Sequence, residues 1–230
     1  MSKSEFKEMF DSAVHVGHRT QKWNPRMKKF LFGEQDGIHI INLEKTATYL
    51  EQAVAFLSKM ASEGKVVLFV STKPQTLKLI EDIAGGVSMP FVSSRWIPGL
   101  LTNFKTIKAR VKYLADLKGQ KETGEFKKYT KKEASSLDKT IVKLEASLGG
   151  VQNLSDLPDC VFVVDVVRDQ IAVKEAKRLG LPVVAILDSN SNPSGVDFPI
   201  PGNDDALKSL KYLLSRVQEA LKKKSAKTSK

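Results

Sequence analysis

The feature that most constrains this chain is a set of nearly uninterrupted apolar runs separated by helical patterns. The runs are Lys65-Val66-Val67-Leu68-Phe69-Val70, Val161-Phe162-Val163-Val164 and Pro182-Val183-Val184-Ala185-Ile186-Leu187. Strands of this kind belong to a parallel sheet covered on both faces. A stripe at Ala47, Leu50, Val54, Leu57 and Ala61 predicts a helix over 44–63, stopped by Gly64. Pro74 opens a helix to about Ala84, and 87–92 reads as a shorter strand. Further helices are expected near 169–179 and from about Asn203 to Leu221. The alternation predicts a doubly wound (Rossmann-like) α/β sheet with helices on both faces, right-handed crossovers and a three-layer core. At the N-terminus, 5–13 has helical spacing, 14–29 reads as loop, and Phe30–Ile41 reads as strand, turn and strand.

Residues 104–148 break the alternation. Phe104, Ile107, Val111 and Leu114 repeat at coiled-coil spacing, as do Leu137, Ile141, Leu144 and Leu148. The expectation is an antiparallel coiled-coil helical hairpin inserted into a sheet domain made of 1–103 and 149–221. A basic tail, 222–230, is expected to be disordered. Read conservatively, the hairpin is a spacer that buries only its own seam.

Charge points to a partner. Of the 230 residues, 37 are Lys or Arg and 26 Asp or Glu, a formal net charge of +11. The excess is localised. Ser12–Gly33 has five cations and no acid, 105–143 has twelve cations against five acids, and 221–230 has five lysines and no acid. Together these segments hold +17, which leaves −6 on the rest. A basic rim on a mildly acidic body suits a polyanion. No apolar run approaches the roughly 20 residues of a membrane span, and no apolar stretch follows the N-terminal residues as in a secretory signal. Cys160 is the only cysteine, so an intrachain disulfide framework is excluded and a reducing compartment fits.

Catalytic patterns are missing. The chain has no G-x-G-x-x-G after a strand, no phosphate-binding G-x-x-x-x-G-K-[ST], no G-x-S-x-G and no H-E-x-x-H. Cys160, leading into an apolar strand, reads as a buried inert thiol. Asp165, Asp188, Asp204 and Asp205 fall near strand ends, where open α/β sheets gather ligands. A divalent metal held near His18, Asp188, Asp204 and Asp205 is the alternative these positions leave open. The simpler account is turn formation and helix capping with no cofactor.

The informative strings are Gly17–Met27 and Arg95-Trp96-Ile97-Pro98-Gly99-Leu100-Leu101-Thr102-Asn103-Phe104. Both mix cations, an indole and amides. Cations and amides contact phosphates and sugars, whereas either Trp suits core packing better. The contact candidates are Arg19, Lys22, Arg26, Lys28, Lys29, Arg95, Asn103, Lys105, Lys108 and Arg110.

Seven strings in order resemble the bacterial-type ribosomal protein S2 family of the small subunit. They are Gly17–Met27, Gly37–Ile41, Arg95-Trp96 with Leu101–Phe104, Leu157-Pro158-Asp159, Glu175-Ala176 with Leu179-Gly180, Pro182–Ile186 and Ile200–Ala206. The chain departs from the family pattern at Pro98, Ser189 and Asp169. The resemblance implies a flavodoxin-like sheet with a protruding coiled-coil hairpin and a non-enzymatic, cytoplasmic or organellar, ribosome-bound protein. It also implies binding to small-subunit rRNA and help in docking ribosomal protein S1, without a membrane or a homo-oligomer. A nucleotide- or metal-binding enzyme and a free-standing RNA-binding regulator are the competing classes.

Overall fold

The computed structural model describes residues 3–222. The chain runs α1 (Lys3–Asp11), β1 (Val16–Arg19), β2 (Leu31–Gln35), β3 (Ile38–Ile41), α2 (Leu43–Ser62), β4 (Val67–Val70), α3 (Leu77–Gly85) and β5 (Phe91–Val92). It continues with α4 (Phe104–Glu122), α5 (Lys131–Leu148), β6 (Cys160–Val163), α6 (Gln170–Arg178), β7 (Val183–Leu187), β8 (Phe198–Pro201) and α7 (Leu207–Lys222).

The apolar runs become the middle of a five-stranded parallel sheet in the order β5-β4-β6-β7-β8. Counted within the sheet this is 2-1-3-4-5, the order of flavodoxin-type sheets, with its switch point between β4 and β6. Pairing Val67 with Cys160 and Val161 with Val183 sets the faces. Val67, Phe69, Phe162, Val184 and Ile186 face one apolar cluster with α2, α3 and α7. Leu68, Val70, Val161, Val163 and Ala185 face the other, with α6 and the hairpin root. Every residue of β4, β6 and β7 is buried, which is why these strands lack alternation.

Two strands lie outside the expected set. β8 reads Phe-Pro-Ile-Pro; it occupies a sheet edge, where a missing proline N–H is tolerated. β1, within the expected loop 14–29, pairs antiparallel with β3, which also pairs with β2. The β2–β3 hairpin turns at Asp36-Gly37, both at positive φ (51° and 74°), as a tight two-residue hairpin requires. The last helix begins at Leu207 rather than Asn203, although Asn203 Oδ1 still accepts from Asp205 N and Ala206 N.

The hairpin α4–α5 forms as expected, but its burial divides in two. Ile107 and Leu148, at its root, join the body's cluster with Leu68 and Val70. Leu114, Leu117 and Ile141 form a separate cluster with Phe126 and Leu137. Ion pairs Lys118–Glu145 (2.5 Å) and Lys121–Asp138 (2.9 Å) run antiparallel across the pair. The hairpin therefore does more than bury its own seam; its root is part of the body's core. The tail expected at 222–230 lies outside the described residues apart from Lys222.

Where the root meets the sheet, a Cβ on Gly150 would sit 2.2 Å from the Phe91 carbonyl oxygen. Gly150→Ala is expected to lower stability by about 1–3 kcal/mol through overpacking, measured by thermal unfolding.

Candidate nucleic-acid interface

The Ser12–Gly33 segment is held by backbone contacts that leave its cations outside. Asn203 N donates to Val14 O, Ile41 N to His15 O, and Asn24 N to Ser189 O. His18 N donates to Ser189 Oγ at 2.8 Å. Gly17 is needed there, because a Cβ would meet His39 O and Ser189 Oγ at 2.8 Å. Asn24 Oδ1 accepts from Arg26 N at 3.0 Å and caps a short 3-10 turn, Pro25–Phe30. That turn buries Met27 and Phe30 and exposes Arg26, Lys28 and Lys29.

The second string is organised by Glu175, which lies in one of the family-like strings and to which the sequence assigns no role. Glu175, on α6, accepts from Gly99 N (2.8 Å), Leu101 N (3.1 Å), Thr102 N (3.1 Å), Thr102 Oγ1 (3.1 Å) and Trp96 Nε1 (3.1 Å). Burial pushes its carboxyl up, but these donors outweigh that and hold it below its ordinary value. Trp96, Leu100 and Leu101 are buried in the same cluster as Met27 and Phe30. The Gly17–Met27 and Arg95–Phe104 strings thus stand on one apolar foundation.

All ten predicted contact residues are exposed: Arg19, Lys22, Arg26, Lys28, Lys29, Arg95, Asn103, Lys105, Lys108 and Arg110. Several also make protein contacts. Arg26 Nη1 donates to Asn192 Oδ1 (3.2 Å) and Ser194 Oγ (2.7 Å). Lys108 Nζ donates to Ser155 O at 2.8 Å, and Asn103 Oδ1 accepts from Thr106 Oγ1 at 2.9 Å. Lys29 Nζ lies 4.7 Å from the centre of the Phe30 ring. Trp96 packs in the core, while Trp23 is half-buried against the His39 ring at 5.0 Å.

Beyond the C-terminal ends of the parallel strands lies a charge cluster, buried at Lys73, Asp165, Asp188 and Asp204 and open to solvent at Asp205. Lys73 follows β4, Asp165 follows β6, Asp188 follows β7, and Asp204 and Asp205 follow β8. Lys73 Nζ reaches Asp204 Oδ1 (2.7 Å), Asp204 O (2.8 Å), Asp205 Oδ1 (2.7 Å) and Asp165 Oδ2 (3.0 Å). Burial opposes its charge, but Asp204 above all, with Asp205 and Asp165, raises its pKa. His18 bridges Asp188 (Nδ1, 3.1 Å) and Asp205 (Nε2, 3.2 Å). The hydrogen bond to Asp188 is the main cause of its raised pKa.

The four residues of the alternative cation reading, His18, Asp188, Asp204 and Asp205, are brought together. Ligand atoms of the first three lie within 4.8 Å of one another, and Asp204 Oδ2 is buried without a partner among the described residues. Lys73, which the sequence reading missed, places an ammonium in the same carboxylate set. Beside it, Asp169 accepts from Thr72 N (3.1 Å) and Thr72 Oγ1 (2.8 Å). The switch-point crevice is thus packed with paired side chains. Cys160 is buried and its thiol is pushed up to about 12 by burial, as expected of an inert core residue.

Residues 9–224 match the family model described as Ribosomal protein S2. The chain is 47% identical over 218 residues to the small ribosomal subunit protein uS2 of Francisella philomiragia, covering 95% of this chain and 91% of that one. It is 45% identical over 221 residues to uS2 of Aeromonas salmonicida, with 96% and 91% covered. It is 47% identical over 215 residues to uS2 of Campylobacter hominis, with 94% and 80% covered.

Proposed function

The chain belongs to the ribosomal protein S2 family, and from that premise we propose that it is a non-catalytic structural component of the small ribosomal subunit that anchors itself on small-subunit rRNA. The observation that carries the rRNA contact is that the basic Gly17–Met27 string and the Arg95–Phe104 string, which leads into the cations of the hairpin, rest on one buried apolar cluster, with all ten contact candidates exposed. Cations on a rigid base neutralise phosphates and release counterions without paying for loop ordering. Folded RNA is then recognised through its shape and backbone. The hairpin, which we read as a short antiparallel coiled coil, adds Lys105, Lys108 and Arg110. Docking of ribosomal protein S1 rests on the family relationship alone.

An enzyme reading has less support. The switch point, where an α/β enzyme holds its ligand, is taken up by Lys73 and its carboxylates.

Replacing Arg19, Lys22, Arg26, Lys28 and Lys29 together by Ala is expected to weaken binding to small-subunit rRNA. The slope of log affinity against log salt should fall by about three to four. In a sucrose gradient the wild-type chain should co-migrate with small subunits, and the variant should leave them at raised salt. Equal retention of both chains at raised salt would overturn this contact assignment. A wild-type chain that binds RNA yet sediments free of subunits would point instead to a free-standing regulator.

A further inference from the structure

Between the start of α6 and the loop after β7 lies a groove of about 270 Å3, lined by residues of neither the Gly17–Met27 nor the Arg95–Phe104 string. Its floor is apolar. Val166 and Val173 are buried, and Val167, on its wall, is 46% exposed. Its polar lining comes from Gln170, Lys174, Asn190, Asn192 and Ser194.

The hydrogen-bonding capacity of that lining is one-sided. Gln170 Oε1 accepts from Lys174 Nζ at 3.3 Å. Asn192 Oδ1 accepts from Ser194 N (3.0 Å) and Arg26 Nη1 (3.2 Å), and Ser194 Oγ accepts from Arg26 Nη1 (2.7 Å). Asn190 Oδ1 accepts from Ser191 Oγ at 3.4 Å. Each of these acceptors already takes at least one hydrogen bond, while the amide NH2 groups of Gln170, Asn190 and Asn192 have no partner among the described residues. What the groove mainly offers a ligand is donors: three amides, the Lys174 ammonium and, beside Asn192 and Ser194, the Arg26 guanidinium.

A complementary ligand is rich in acceptors, is anionic and has an apolar face. An unpaired nucleotide combines these: phosphate oxygens for Lys174 and Arg26, base carbonyls for the amides, and a flat sugar–base surface for the valines. Paired RNA keeps its bases stacked and presents no such face. A carboxylate side chain satisfies the cations but brings nothing to lie on Val167. Arg26 also belongs to the first basic string, so a strand bound there continues into the groove.

We infer that this groove takes an unpaired nucleotide of the small-subunit rRNA, an inference that rests on the ribosomal reading above. The test uses purified small-subunit rRNA and the full chain. Val167→Glu and Lys174→Glu are both surface changes, so thermal unfolding should match wild type. Each is expected to weaken rRNA binding about tenfold or more. A photoreactive residue in place of Val167, in reconstituted subunits, should crosslink to RNA. If wild type binds rRNA but both variants bind equally well, or if the crosslink goes to a protein or to nothing, the groove assignment fails alone. If wild type does not bind rRNA at all, the rRNA reading fails with it.

Discussion

Replacing Lys73 by methionine is expected to lower the unfolding free energy by about 3–5 kcal/mol. Methionine keeps much of the stem's volume but removes the ammonium that pairs with Asp165, Asp204 and Asp205. The side chains of Asp165 and Asp204 are only 10% and 1% exposed, so water cannot replace it. The loss is that of stranding buried carboxylates, larger than the net value of the intact pair. The pH dependence gives the mechanism away. In wild type, Lys73 has a raised folded pKa, so its contribution is complete below the ordinary lysine value and fades only in strong alkali, as pH rises through the folded value. Asp204 is held above the usual carboxylate range by burial first and by Asp188 and Asp165 second, with Lys73 pulling it down. Without Lys73 it must rise further. A carboxyl raised in the folded state destabilises above its folded pKa, and that penalty lifts as pH falls through it. Lys73→Met should therefore recover stability relative to wild type as pH falls through the variant's higher Asp204 value toward about 7, where wild-type Asp204 takes up its own proton, and adding Asp204→Asn should recover part of the loss above that pH. Urea unfolding across this range checks both. A pH-independent loss below about 1 kcal/mol would show that the cluster is not held together by charge.

This cluster marks where reading the chain runs out. The central strands were legible because Val67–Val70, Cys160–Val163 and Val183–Leu187 are buried on both faces, and that leaves a local signature. β8 was not, because Pro199 and Pro201 argue against a strand until an edge position is available for it. β1 was not, because Val16-Gly17-His18-Arg19 is shaped by neighbours far along the chain, His39 and Ser189, rather than by its own pattern. The acids at strand ends could be anticipated from the sheet class. Lys73 could not, since its partners Asp204 and Asp205 lie 131 and 132 residues away and nothing in Ser71-Thr72-Lys73-Pro74 announces them. The surface cations were legible for the opposite reason: charge that stays in water needs no partner to be recognised. Glu175 sits in Lys174-Glu175-Ala176-Lys177-Arg178, which reads as an ordinary solvated helix face, yet it is only 8% exposed.

Glu175 is where the second large effect is expected. Glu175→Ala removes the acceptor of three backbone N–H groups, the Thr102 hydroxyl and the Trp96 indole at once. Water can reach the exposed Thr102, but Leu101 and Trp96 are buried. At about 1–3 kcal/mol for each buried donor left unsatisfied, the loss should be about 3 kcal/mol. Glu175→Gln is milder but not silent, because its NH2 group must face donors where a carboxylate oxygen accepted them. The Glu175 carboxyl is lowered in the folded chain, so its contribution is present above the ordinary glutamate value and is lost as pH falls through the folded one. The gap between wild type and Glu175→Gln should therefore close as pH drops below about 4, in urea unfolding followed by tryptophan fluorescence. Because the same carboxylate sets the path from Arg95 to Asn103, Glu175→Gln is expected, under the proposed rRNA reading, to weaken rRNA binding as well, with the proposed contacts of Arg19, Lys22 and Arg26 unaffected. The salt slope should then fall by less than it does in the five-cation variant. A Glu175→Gln chain with wild-type stability at pH 7 would show that the loop holds its shape without the carboxylate, through the packing of Trp96, Leu100 and Leu101 alone.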